Sequence, residues 1–193
     1  MTDDRTPTPG RKRPLRERVL DAAERVVSRD GAAHLTLDAV VAEAGVSKGG
    51  MLYHFNSKQA LLEGLLERTL AHHEGRIAEA RESLPDDDPY REGRAHLLAC
   101  IDHELVDPEL GITLIAAAAH HPDMVEPARR MEARCMAAID ALEKAVPTAR
   151  LLWLAMHGMQ FLDILGISSL TDEQKQALRR QARAHLDDEE PRP

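Results

Sequence analysis

The chain has little of several things that would otherwise fix its class. Its 193 residues include two cysteines, Cys100 and Cys135, and no Cys-x-x-Cys pair, which excludes a disulfide framework. Aromatic residues make up only 3% of the chain, and the alternating polar and apolar pattern of strands is nearly absent. Alanine and leucine are plentiful instead. This composition predicts an all-helical protein.

No long hydrophobic run is present. The uncharged run from Leu151 to Leu162 is too short to span a bilayer and contains His157 and Gln160. The segment from Met1 to Gly10 is polar and rich in proline, unlike a signal peptide. We therefore expect a soluble cytoplasmic protein with no membrane partner.

The sequence also lacks the common motifs of catalysis. It has no glycine-rich phosphate loop, no nucleophile elbow and no pair of histidines with a glutamate on one helix. Asp102, His103 and Asp163 offer acid–base groups, but any helical protein carries such residues. We predict that the protein is not an enzyme and needs no cofactor.

Charge is unevenly distributed along the chain. The net charge is −8, yet residues 5–58 carry ten Lys/Arg against six Asp/Glu, a balance of +4, which leaves −12 for the rest. A mildly basic end on an acidic body suits a protein that touches DNA at one pole. Residues 1–14 are predicted to be a flexible basic arm, either a solvated tail or a segment that reaches phosphates or the minor groove. Residues 188–193 form an acidic tail.

The stretch from Thr36 to Leu62 is the most informative part of the sequence. Thr36, Ser47 and Ser57 are each placed to cap the start of a helix, and Gly45 stands where the chain must reverse with a positive φ. Two short helices around a tight turn form a helix-turn-helix, whose second helix fits the major groove of B-DNA. An apolar stripe on the preceding helix completes a three-helix DNA-binding headpiece over residues 15–60.

The run AEAGVSKGGMLYHFNSKQALLEGLL resembles the TetR family of bacterial transcriptional regulators. The positions that carry the resemblance are Ala42, Ala44, Gly45, Val46, Ser47, Gly49, Tyr53, Phe55, Lys58 and Leu61. Gly50 departs from the family, since a threonine that touches DNA often stands there. The resemblance implies a homodimer that binds a palindromic operator in double-stranded DNA, most simply as a repressor.

The expected DNA contacts lie in and around the helix-turn-helix. Ser47 leaves a helix N-terminus facing a phosphate, and Lys48 reaches a phosphate or a guanine edge. Tyr53 and Lys58 suit backbone phosphates, which fix register without reading sequence. The predicted contacts are Thr36, Ser47, Lys48, Gly49, Gly50, Tyr53, His54 and Lys58.

Residues 61–187 are expected to form a helical domain that is joined to the headpiece by a long helix. Within this domain the sequence predicts one helix from Tyr90 to Val106, another from His121 to about Val146, and a capping box of Thr171 and Gln174 that begins the last helix. The resemblance implies that this domain binds a small-molecule effector and forms the dimer through its last two helices, at about 148–167 and 171–186. The segment from Leu151 to Leu165 agrees, because it is apolar on nearly every side and needs cover on more than one. The predicted effector site comprises His96, Cys100, His103, Met131, Trp153, His157 and Phe161.

Three residues of the predicted effector site leave alternatives open. His96, Cys100 and His103 recur at helical spacing, which places all three on one face of a helix. Such a face could bind zinc or copper in a metal-sensing regulator, or it could line an organic pocket or the core. The sequence shows no clear fourth ligand, so we assign no metal site. A DNA-binding protein without a small ligand is a further alternative.

Overall fold

The computed structural model describes residues 13–104 and 106–188, and within them the protein consists of helices and connecting turns. The predicted all-helical fold is confirmed. The first four helices are α1 (Leu15–Asp30), α2 (Leu37–Ala44), α3 (Lys48–His54) and α4 (Lys58–Glu82). Residues 1–12 of the predicted arm and 189–193 of the acidic tail lie outside the described residues. Arg13, at the end of the arm, pairs with Asp21 on α1 at 2.7 Å.

The helix-turn-helix forms for the local reasons that the sequence indicates. Thr36, Ser47 and Ser57 are N-caps, and the side-chain oxygen of each accepts the backbone N–H three residues further on, at 3.0 to 3.1 Å. Gly45 ends α2 in the left-handed region, with φ 60° and ψ 42°. The capping predictions are confirmed, and they fix where α2, α3 and α4 begin.

Five further helices build the body. They are α5 (Arg91–Asp102), α6 (Pro108–His120), α7 (Glu126–Leu142), α8 (Ala149–Ile164) and α9 (Asp172–Asp188). The predicted helix from His121 to Val146 is shorter in the structure, because a 3₁₀ turn at Pro122–Val125 precedes α7. The predicted capping box at the start of α9 is confirmed, since Thr171 and Gln174 exchange backbone-to-side-chain hydrogen bonds of 2.9 and 3.2 Å.

The fifth helix ends four residues earlier than the sequence indicates, at Asp102 rather than Val106. Side chains from distant helices take up the carbonyl groups at this end. Arg179 on α9 donates to the carbonyl of Ile101 at 2.6 Å, and Gln160 on α8 donates to that of His103 at 3.1 Å. These donors satisfy carbonyls that a longer helix would otherwise have bonded internally.

Two apolar cores share the long helix α4. The first joins the headpiece to the body, because Leu110 and Leu114 of α6 pack in the same buried cluster as the α1 side chains. The second lies between α5, α7, α8 and α9. Arg68 on α4, only 7% exposed, pairs with Asp21 and Glu24 of α1 at 2.7 and 2.6 Å. The headpiece is therefore tied to α4 by a buried ion-pair group as well as by apolar packing.

Within the described ranges, no helix combines the length and the apolar character that a membrane crossing requires.

Candidate functional site: a helix-turn-helix surface and an apolar cavity

The outer face of α3 is the first candidate site. Met51 and Phe55 are buried in the headpiece core, so the remaining faces of this short helix point outward. The exposed residues are Lys48, Gly49, Leu52, Tyr53 and His54. Tyr53 is 85% exposed, and its ring meets that of His54 edge-on, with centroids 5.1 Å apart. An exposed phenol ring and an imidazole ring thus stand together on the helix that a groove would receive.

Two lysines flank this face. The ammonium of Lys48 lies 2.8 Å from a carboxylate oxygen of Asp38 on α2, and both side chains are exposed. An exposed pair of this kind contributes little stability, so Lys48 is free to exchange Asp38 for a phosphate. Lys58 is exposed at the first residue of α4, and among the described residues it has no carboxylate within ion-pair distance.

The capping residues Thr36 and Ser47, and Gly50, also have structural roles in the headpiece. Thr36 and Ser47 are exposed, but their oxygens accept backbone bonds, which leaves the hydroxyl hydrogens available to donate. Gly50 is half-buried. A Cβ at Gly50 would lie 3.1 Å from the Ser47 oxygen and 3.2 Å from a methyl of Leu15. The close approach of α1 therefore accounts for this glycine.

The second candidate site is a cavity of about 310 Å³ between α4, α6, α7 and α8. Its walls are predominantly aliphatic and aromatic. The lining residues are Leu66, Thr69, Leu70, His73, Val106, Gly111, Leu114, Ile115, Ala128, Met131, Glu132, Cys135, Trp153, His157 and Ile164. Its volume lies at the lower end of the range found for small-molecule sites, about 300 to 1,000 Å³.

Three members of the predicted effector site lie in these walls, and a fourth stands behind them. Met131, Trp153 and His157 line the cavity, and the Trp153 and His157 rings stack with centroids 3.9 Å apart. His157 Nδ1 lies 2.9 Å from the Trp153 carbonyl, which can only accept, so this nitrogen carries the hydrogen. Its Nε2 then accepts, and the Cys100 sulfur is 4.0 Å away. Burial raises the pKa of Cys100 to about 12 and lowers that of His157, so both are uncharged at neutral pH.

His73 is a wall residue absent from the predicted effector site. It is only 6% exposed, and its Nδ1 is buried with no hydrogen-bond partner. Burial, and then the proximity of His157, lowers its pKa to about 4. The sequence contained a sign of this position, because His73 continues the apolar stripe of Leu66 and Leu70 along one face of α4. A histidine in that stripe is expected to face the interior of the body.

The structure does not bring the other predicted effector residues into this cavity. His96 faces a separate cleft of about 400 Å³ beside Arg81, Glu92 and Arg134, with Nε2 3.4 Å from the Glu92 carboxylate. His103 is exposed beyond the end of α5. Phe161 is 50% exposed on the outer side of α8, because that helix is apolar on both faces and packs only one of them inward.

The same positions remove the basis for a metal site. His103 lies outside the helix, so His96, Cys100 and His103 do not share a helical face. Among the residues that the structure describes, no three histidine, cysteine, aspartate or glutamate side chains are grouped to hold a metal ion.

The outer face of α8 forms a continuous apolar surface. The exposed side chains recur at intervals of three, four or seven residues, which places them on one side of the helix. They are Leu151, Leu154, Phe161, Leu162 and Leu165. Leu178 on the neighbouring α9 is also exposed. An isolated chain would present this surface to water.

A helix-turn-helix headpiece joined to a helical body with an apolar cavity is the architecture of a DNA-binding regulator that carries both parts in one chain. Residues 19–65 match the family model for bacterial regulatory proteins of the tetR family. Residues 91–187, half of the chain, match the model for the tetracyclin repressor-like C-terminal domain. The chain therefore belongs to the TetR family of bacterial transcriptional regulators, which are not enzymes.

Individual relatives match parts of the sequence. The chain is 34% identical to the HTH-type transcriptional regulator TtgR of Pseudomonas putida over 92 residues, which is 48% of this chain and 43% of that protein. It is 30% identical to the HTH-type transcriptional regulator BetI of Ectopseudomonas mendocina over 95 residues, 49% and 46% of the two chains. The matched segments thus span less than half the length of either relative.

Solved structures resemble the whole chain. The crystal structure of the multidrug binding protein EbrR complexed with imidazole is 28% identical, with a TM-score of 0.56 over 93% of this chain and 97% of that one. A transcriptional regulator from Rhodococcus sp. Rha1 shares the fold at 20% identity, with a TM-score of 0.64 over 90% and 95% of the two chains.

Proposed function

We propose that the protein is a homodimeric repressor that binds a palindromic operator through two copies of α3 and is released by a small molecule in the body. The observation that carries this proposal is the outward face of α3, where Lys48, Tyr53 and His54 are exposed beside Lys58. In this function the protein acts in the cytoplasm, on the DNA that it regulates.

Each exposed group has a role that its chemistry supports. Lys48 and His54 lie on the face of α3 that enters the major groove, where they reach base edges or the flanking phosphates. Tyr53 and Lys58 bind backbone phosphates and set the register of the headpiece. Thr36 and Ser47 donate their hydroxyl hydrogens to phosphates at the edges of the site. Gly49 lets the backbone approach the groove, and Gly50 serves the packing of α3 on α1.

A second copy of the chain covers the apolar outer faces of α8 and α9. A two-fold axis along these helices pairs each apolar surface with its copy and builds a four-helix interface. Leu151, Leu154 and Phe161 would then be buried between the protomers. The spacing of the two α3 helices becomes a property of the dimer, and the operator selects one spacing.

The proposed release of the operator depends on side chains that belong to both the cavity walls and the headpiece core. Leu66 and Leu114 belong both to the cavity walls and to the core that holds α1. Arg68, two residues after Leu66 on α4, ties that helix to α1 through partly buried ion pairs with Asp21 and Glu24. A ligand that displaces these side chains favours a headpiece spacing that the operator does not match. A tenfold loss of operator affinity needs about 1.4 kcal/mol of coupling.

The test of DNA binding is the Lys58→Ala variant, measured by fluorescence anisotropy on a duplex from upstream of the gene. If Lys58 binds phosphate, the variant binds all DNA more weakly and the slope of log K against log salt falls by about one unit. Lys144→Ala is the matched control, because this lysine is exposed on the body, away from α3. A salt slope equal to that of Lys144→Ala would refute the phosphate contact, and no binding by the parent protein would refute the proposed function.

A further inference from the structure

The electrostatics of the cavity restrict what it can hold. Glu132 is the one charged side chain among the described residues that line it, and Glu132 is exposed to solvent. No lysine or arginine among the described residues stands in the walls to balance a carboxylate. The same desolvation that keeps His73 and His157 uncharged, by lowering the pKa of each, opposes a buried cation. The interior therefore favours an uncharged molecule.

The imidazole of His73 lacks a hydrogen-bond partner within the described chain. Two other polar wall groups are engaged, since His157 bonds the Trp153 carbonyl and faces Cys100, and the Thr69 hydroxyl donates to the Leu65 carbonyl at 3.0 Å. His73 is only 6% exposed, and neither of its ring nitrogens has a hydrogen bond within the described chain. Native structures rarely leave a buried polar group unsatisfied, so this imidazole calls for a partner from outside the chain. A hydroxyl group can donate or accept and thus suits either tautomer of the imidazole.

The aromatic wall gives the shape of that partner. Trp153 and His157 present stacked rings, and the flexible sulfur side chain of Met131 lies in the same walls. A flat ring gains stacking and sulfur–aromatic contacts against such a surface beyond those of an aliphatic group of equal size.

We propose that the cavity binds an uncharged planar aromatic molecule that carries one hydroxyl group, with its ring against Trp153 and its hydroxyl hydrogen-bonded to the imidazole of His73. The inference rests on the proposed function, because it names the chemical class of the effector in the same cavity. It also makes His73 the residue that selects for the hydroxyl.

Four probes that share one ring system separate the contributions. They are 2-naphthol, 2-methylnaphthalene, 2-naphthoate and 2-naphthylmethylammonium, each equilibrated with the full chain by dialysis at pH 7 without DNA. We expect 2-naphthol to bind about threefold to tenfold more tightly than 2-methylnaphthalene, the effect of one net hydrogen bond. The two charged probes bind more weakly than either. Equal binding of 2-naphthol and 2-methylnaphthalene, tighter binding of a charged probe, or no binding of any probe would overturn the proposal.

Variants assign the hydrogen bond to one residue. His73→Leu keeps the volume of the wall but removes the nitrogen, so the preference for 2-naphthol over 2-methylnaphthalene disappears. His73→Gln retains a polar group there and keeps part of the preference. Thr69→Val is the matched control, because Thr69 lines the same cavity with its hydroxyl hydrogen already bonded. A preference that survives His73→Leu, or one that Thr69→Val abolishes, contradicts the role of His73.

Operator binding measured in parallel separates this inference from the proposed function. If no probe binds while the protein still retards its operator, the ligand class is wrong and the DNA-binding function stands. If 2-naphthol binds with the expected preference but leaves operator affinity unchanged, the ligand class stands and the release mechanism fails.

Discussion

Replacing Leu154 by alanine should weaken the dimer by an amount that the structure allows us to estimate. Leu154 is 55% exposed on the outer face of α8, so about half of its surface remains to be covered by a partner. The substitution removes three carbons, each contributing about 0.8 kcal/mol when fully buried. If the partner covers the exposed 55%, the substitution lowers the free energy of association by about 1.3 kcal/mol per copy and about 2.6 kcal/mol per dimer. The dimer dissociation constant should rise about 80-fold.

Sedimentation velocity over a range of protein concentrations, without DNA, measures this change directly. Leu52→Ala is the matched control, since Leu52 is also an exposed leucine but lies on α3, at the DNA-facing end. It should leave the dimer unchanged, and circular dichroism melting checks that both variants are folded. A dissociation constant for Leu154→Ala equal to that of Leu52→Ala would refute the assignment of the α8 face. A parent protein that sediments as a monomer at micromolar concentration would refute the dimer itself.

Two further predictions concern stability. Because His73 has a pKa of about 4 in the folded chain against its ordinary value of 6.5 in the unfolded chain, only the unfolded chain holds that proton between these values. The contribution of His73 to the free energy of unfolding is therefore fully present above pH 6.5 and falls by about 3 kcal/mol as the pH drops to 4. His73→Leu should flatten the pH profile measured by urea denaturation by about this amount, and a profile equal to that of the parent protein would contradict the assignment. At Gly93 a Cβ would lie 2.5 Å from the Ala138 carbonyl oxygen, so Gly93→Ala should destabilise the protein by roughly 1–3 kcal/mol in the same assay. Gly75→Ala, where a Cβ meets nothing within 4 Å, should instead stabilise by about 0.5–1 kcal/mol, and equal effects at the two sites would count against the contact.

The features that the sequence predicted best are those set by local chemistry. The N-caps at Thr36, Ser47 and Ser57 and the left-handed turn at Gly45 depend on groups within a few residues, so short-range rules located them. The headpiece follows almost directly from these four positions. The DNA-facing residues could be proposed for the same reason, because α3 is short and its buried side is fixed by Met51.

The features that the sequence predicted poorly depend on distant contacts. The end of α5 is set by Arg179 and Gln160, which lie roughly 60 to 80 residues further along the chain. That early end takes His103 out of the helix, and the expected metal-binding face is lost with it. Phe161 was misplaced for a different reason. Both faces of α8 are apolar, so composition does not distinguish the face toward the cavity from the face toward a second copy.

The two faces of α8 explain how one helix can serve both the cavity and the dimer. Trp153 and His157 line the cavity, and Leu154 and Phe161 are exposed on the neighbouring strip of the same helix, within one or two turns. In the proposed dimer, a ligand that shifts the cavity-lining side chains would also shift the surface against which the second copy packs. Since the α4 wall of the cavity continues into the headpiece core, in the proposed mechanism the same ligand would act on the position of α3 within a chain and on the angle between chains. Both displacements change the distance between the two α3 helices, so the coupling does not depend on either route alone. By linkage, a dimer held at the operator spacing must bind the ligand more weakly by the factor through which the ligand weakens operator binding.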